Sequence, residues 1–346
     1  MRALTIAIAL LLCTLLNYAQ QASILSDDIL ITVENEVALN SKHSEFGVNK
    51  WFNQLCFTTN RNQFSERNEF IGNNSYDIYT YDQSKKYRQI SPLETLKAKA
   101  NIGYATQVVG DKFYYTAENN KADYNLKAAT VQRSMVIYEA INKGTKWKTK
   151  QVKVFSNKKY SYTHPSLSKS GKTLFFASDM PGGYGGMDIY VVHMVDGKWS
   201  EPVNLGPEVN TAENELFPFI HDSGMLFFSS NGHKGFGGMD IFVTQFMDDE
   251  WKSPENMGSP VNTPANDFSI YVDRNFTDGY FSSDREGGMG ADDIYKLAFA
   301  NNPQPKQQLI SENNLLEENT PKEEILVETV PVSEESVLIN SLQVRK

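Results

Sequence analysis

The densest group of chemically suggestive residues is the run Ser178-Asp179-Met180-Pro181-Gly182-Gly183-Tyr184-Gly185-Gly186-Met187-Asp188. A glycine-rich loop that ends in a carboxylate can cradle a phosphate if it opens a helix, whose first amides then face the anion. Here the run leads into Ile189-Tyr190-Val191-Val192, a strand-type sequence. The spacing therefore predicts a wide hairpin, with glycine supplying positive φ. Asp188, Asp240 and Asp293 each stand just before an Ile, and Asp179, Asn231 and Asp284 recur nine residues upstream of them. Such side chains can accept backbone amides of their own loop and hold it shut. A cation held by some of these acids is the alternative, although their spacing fits no EF-hand loop.

Other chemistry is thin. The five histidines, His43, His164, His193, His221 and His233, form no H-E-x-x-H, and no G-x-S-x-G elbow exists. His164, His221 and His233 are expected to be polar surface. Cys13 falls in an apolar leader-like run, so Cys56 stands alone and reads as a small buried residue. No catalytic residue, cofactor or metal is expected. The better functional hint is Tyr184 and Phe236, at the same place in two related loops, with Met187 and Met239 three residues on. Loop-tip aromatics between glycines can anchor a partner, or can fold back on a neighbouring element.

These loops belong to a repeat. Residues 174–190 read LFFASDMPGGYGGMDIY, residues 226–242 read LFFSSNGHKGFGGMDIF, and 280–295 read YFSSDREGGMGADDIY. An equivalent Ile falls at 78, 137, 189, 241 and 294. Each unit divides into four short β segments, the last marked by Trp147, Trp199 or Trp251. Four strands at a period near 50 residues describe a propeller blade. The fold expected is all-β: a five-bladed β-propeller of four-stranded blades, with six blades as the alternative count. The last unit lacks a Trp-bearing fourth segment, and Ile29 to Val33 lacks a blade. Pairing the two would close the ring and remove open edges. A helical insertion is expected near Lys121 to Gln132.

Composition sets the outer limits. The chain has 346 residues, 33 Lys and Arg against 42 Asp and Glu, and a formal net charge of −9. That balance argues against a nucleic-acid partner. Twenty Phe, 17 Tyr and four Trp are ample for a core. Met1-Arg2 followed by an uncharged run to Leu16 predicts a signal peptide over 1–20, too short to span a bilayer. The propeller is then expected over 21–300. Residues 301–346 hold eight Glu, four Lys or Arg and no aromatic residue, which predicts a disordered acidic tail.

The run Leu-Phe-Phe-Ala-Ser-Asp with Gly-Gly-Met-Asp-Ile-Tyr, together with Ser283-Asp284-Arg285, resembles the WD40-like repeat of TolB-type propellers. The fuller Gly-Gly-Tyr-Gly-Gly-Met-Asp, with Asn-Leu-Gly-Pro-Glu-Val-Asn-Thr over 204–211, resembles the propeller of OmpA-family envelope proteins associated with gliding and type IX secretion. The resemblance implies a non-enzymatic scaffold, exported to the periplasm or the outer membrane and peripheral to it, that binds an envelope or outer-membrane protein. The peptidoglycan-binding domain usual in those relatives is expected to be absent, so cell-wall anchoring does not carry over. A glycan-binding or glycan-hydrolysing propeller is the second expectation.

Overall fold

The computed structural model describes residues 24–25, 29–61, 76–84, 90–93, 96, 101–119, 134–144 and 146–300. The predicted leader, the insertion near 121–132 and the tail lie outside those residues. The first strand, β1 (Leu30–Asn35), belongs to no blade made from its own neighbours. Blade 1 follows, with β2 (Glu45–Trp51), β3 (Gln54–Thr59), β4 (Asp77–Asp82) and β5 (Ile90–Pro92). Blade 2 holds β6 (Ile102–Ala105), β7 (Lys112–Glu118), β8 (Met135–Asn142) and β9 (Trp147–Gln151). Blade 3 holds β10 (Tyr162–Leu167), β11 (Thr173–Ser178), β12 (Asp188–Val195), β13 (Lys198–Trp199) and β14 (Val203–Asn204). Blade 4 repeats that plan with β15 (Glu215–Ile220), β16 (Met225–Ser230), β17 (Asp240–Met247), β18 (Glu250–Trp251) and β19 (Glu255–Asn256). Blade 5 holds β20 (Asp267–Val272), β21 (Asp278–Ser283) and β22 (Asp293–Ala300).

Each blade is an antiparallel meander, and the count is five, not six. β1 supplies the missing fourth strand of blade 5, in register from Leu30 opposite Ala300 to Asn35 opposite Tyr295. Both ends of the propeller thus share one sheet, which covers the edge that β22 would otherwise expose. The Trp segment is a single strand in blade 2. In blades 3 and 4 it splits into two short pieces that pair with the same third strand.

Every inner strand carries a bulge, and three of these place a non-glycine residue at positive φ: His164 (50°), Phe217 (51°) and Ser269 (58°). The bulge turns side chains toward the ring axis. Phe46, Tyr104, His164, Phe217 and Phe268, one from each blade, meet there. Phe46 of blade 1 and Tyr104 of blade 2 lie 6.1 and 5.8 Å from Phe217 of blade 4, contacts that cross the axis. His164 stacks on Phe217 at 3.7 Å. Away from the axis the blades pack through continuous apolar strands. Leu174 to Ala177 and Leu226 to Phe228 are fully buried, because both faces of such a strand meet a neighbouring blade.

Candidate functional site

The glycine-rich loops join second to third strands on the face where the inner strands begin. Asp188, 1 % exposed, accepts the Tyr184 and Gly185 amides at 2.5 and 3.0 Å and the Asn204 amide side chain at 2.8 Å. Asp240 accepts the Phe236 and Gly237 amides at 2.6 and 3.3 Å. Asp293 accepts the amides of Met289 and Gly290 and the Asn35 side chain. Burial raises the pKa of Asp240, while the two amides pull it back. In each loop the carboxylate ties down the backbone of the residue four positions earlier, whose side chain must then point outward.

The same loops latch one blade to the next. The Gly186 amide donates to the Glu213 carbonyl at 2.6 Å, and the Glu215 amide returns a bond to the Met187 carbonyl at 2.6 Å. Gly238 and Ala265 (3.3 Å), with Asp267 and Met239 (2.7 Å), repeat the exchange between blades 4 and 5. Ala291 and His43 (3.2 Å), with Glu45 and Asp292 (2.8 Å), repeat it between blades 5 and 1. The close approach explains the glycines. A Cβ on Gly185 would stand 2.3 Å from the Glu213 carbonyl, and one on Gly237 2.0 Å from that of Ala265. An asparagine completes each joint. Asn210 both donates to and accepts from the backbone of Ile189, Asn262 does so for Ile241, and Asn40 for Ile294.

What the latches leave outside is a row of three apolar tips. Tyr184 is 51 % exposed, Phe236 57 % and Met289 51 %. Met187 and Met239, three residues after Tyr184 and Phe236, are half-buried. Sequence reasoning missed Met289, because the degraded third loop offers no aromatic there. Counting four residues back from Asp293, as Tyr184 and Phe236 stand from Asp188 and Asp240, would have found it. Asp179, Asn231 and Asp284 sit on the same face. Each accepts the backbone amide just before an inner strand, from Ser161, Asn214 and Asn266 at 2.6, 2.9 and 2.7 Å.

A second set of carboxylates also escaped the sequence reading. Glu45, Glu215 and Asp267 open the inner strands of blades 1, 4 and 5 and are 0 % exposed. Each binds a hydroxyl and an amide four residues upstream, at Ser41, Thr211 and Thr263. Arg61 pairs with Glu45 at 2.9 Å and Arg285 with Asp267 at 2.6 Å. Both guanidiniums lie over aromatic rings and bond the carbonyl that precedes the clamping asparagine. In blade 4 that place is taken by His233, bonded to the Val209 carbonyl at 2.8 Å and packed on Phe228 and Phe242.

The histidine expectation is therefore corrected. His221 is 5 % exposed and bonded to Ser223 and the Asp273 carbonyl. His164 lies at the axis, crowded by Tyr104 and Phe217, and desolvation pulls its pKa down to about 3. The bulge, invisible in composition, turned it inward. Cys56 is buried, and its thiol pKa is raised by desolvation. The tryptophans bridge blades: Trp147 packs on Trp51 and Phe113, Trp199 on Tyr114, and Trp251 on Phe175 and Phe246. The loop face thus offers a periodic apolar surface, on loops whose carboxylates Asp188, Asp240 and Asp293 each accept two backbone amides.

No family model matches the chain, and no curated protein does. Among solved structures, TolB from Acinetobacter baumannii is similar with TM-score 0.41 and 12 % identity, over 77 % of this chain and 57 % of that one. An α-L-arabinofuranosidase from Lactobacillus brevis gives 0.44 and 12 %, over 80 % and 97 %. The α-L-arabinofuranosidase PaAbf62A from Podospora anserina gives 0.46 and 9 %, over 78 % and 94 %. The chain spans just over half the length of that TolB.

Proposed function

We propose that this chain is an exported propeller that works without chemistry of its own, as a scaffold binding another protein of the bacterial cell envelope. Tyr184, Phe236 and Met289 are the contact residues, together with Met187 and Met239. The observation that carries this reading is their repeated display. Three successive blades hold a large apolar side chain outside the fold, on loops braced by a buried carboxylate and by the next blade. Exposed apolar side chains on a rigid frame lose little conformational freedom on contact, which favours their use as anchors. On this reading the protein works in the periplasm or at the outer membrane, peripheral to it. Its narrower form, an accessory place in gliding or type IX secretion, rests on the sequence resemblance alone.

A photo-crosslinking side chain at position 236, in cells making the full chain, tests the proposal. A discrete crosslinked envelope protein is expected. It should vanish when Tyr184 and Met289 are changed to Ser, and it should not form from position 52 on the opposite face. Equal products from both faces would refute the reading, and so would specific protection by an oligosaccharide without a protein product.

A further inference from the structure

The edge of blade 2 carries a charge pattern that the loop-face reading does not use. From Ala140 to Ser178 the chain has no Asp or Glu and nine Lys. Seven of these, Lys143, Lys146, Lys148, Lys150, Lys153, Lys158 and Lys159, are all exposed. They follow β9 and the turn Lys153–Phe155 across the rim of the ring. Among the described residues, Lys150 alone of the seven pairs with a carboxylate, Glu139 at 2.7 Å. Edge lysines guard against strand pairing, but the equivalent edges do so with mixed charge. Blade 3 has Lys198-Trp199-Ser200-Glu201, and blade 4 has Glu250-Trp251-Lys252 with an internal 2.8 Å ion pair. Protection alone does not call for seven like charges.

The complementary charge is in the same molecule. Residues 312–335 hold eight Glu and one Lys. Glu312 can stand up to about 40 Å from Ala300 and Glu335 up to about 115 Å, at ~3.3 Å per residue. A propeller of this size is only about 50 Å across. A tethered partner with that reach has an effective concentration of up to about millimolar, ahead of any anion supplied from outside. We propose that residues 312–335 lie along the lysine edge of blade 2. This inference is independent of the loop-face reading.

Lysine acylation rates, read residue by residue by mass spectrometry on the full chain, test it. The comparison is a variant with all eight glutamates of 312–335 changed to Gln. In the unaltered chain the seven edge lysines are expected to react at least about threefold more slowly than in the variant. Lys42, Lys234 and Lys252 should be unchanged. Sodium chloride at about 0.5 M, where the screening length is ~4 Å, should remove the difference. Equal rates in the two chains would overturn the proposal, as would slowing spread over the control lysines. Protection that fades on tenfold dilution would overturn it too, since it would assign the edge to the tail of a second copy.

Discussion

Replacing Gly237 by Ala tests whether the repeated loop is an inter-blade latch. The new Cβ would lie 2.0 Å from the Ala265 carbonyl oxygen and 2.5 Å from that of Thr263. Both are backbone atoms of the next blade, so no rotamer change relieves the clash. The loop must lift. The bonds at risk are Gly238 to Ala265, Asp267 to Met239, and the Met239 amide to the Asn266 side chain at 3.0 Å. At about 1 kcal/mol each, the loss is roughly 3 kcal/mol. For a domain of this size that corresponds to a fall in Tm of about 6–12 °C. Gly103→Ala is the control. A Cβ there meets nothing within 4 Å and φ is ordinary, so Tm should move by no more than about 2 °C. Gly182→Ala falls between the two: its space is open but its φ is +95°, a strain of about 1–3 kcal/mol. Scanning calorimetry on the three variants gives the order. If Gly237→Ala melts with Gly103→Ala, the loop does not couple the blades and the argument fails.

Acid sensitivity should trace in part to His164. Its folded pKa of about 3 lies below the usual 6.5, so the unfolded chain binds the proton first. Stability is full above about pH 6.5 and falls as pH drops toward 3, by about 2 kcal/mol at pH 5. His164→Phe should flatten denaturant midpoints between pH 7 and pH 5 by that amount, Phe217 already holding the same bulge conformation at φ 51°. His233→Arg should recreate the ion pair of Arg61 and Arg285 against the buried Glu215 and raise Tm by about 2–4 °C; a lower Tm would break the equivalence drawn between the three blades. Deleting residues 21–35 removes β1 and bares the edge of β22, and light scattering should then show aggregation at temperatures where the full chain does not aggregate.

The ring and its closure were legible because they rest on repetition. Leu174 to Ala177 and Leu226 to Phe228 read as continuous apolar runs, and the same runs are buried on both faces. Ile29 to Val33 was an orphan in phase, and β1 fills the place that phase assigned. The tips at Tyr184 and Phe236 were legible as positions, since their loops are near-copies. Met289 was not, because its loop had drifted in composition while keeping its distance from Asp293. Glu45, Glu215 and Asp267 were hidden for a different reason. A carboxylate in a sequence reads as surface, and only the neighbouring hydroxyls, amides and, in two cases, an arginine make burial tolerable.

By itself, then, the amino-acid order determined the period and the strand borrowed from the far end, and put the blade count at five with six as the alternative. Those depend on a repeating pattern of apolar and turn residues, which is a one-dimensional property. Which side chains face the axis, which are sealed between blades and which stand in solvent was decided only in three dimensions. His164 shows why: it sits in the bulge of an inner strand at a φ of 50°, and its ring stacks on Phe217 at the axis. The latches show it again, since Gly237 and Ala265 lie 28 residues apart in sequence and acquire their meaning only where two blades touch.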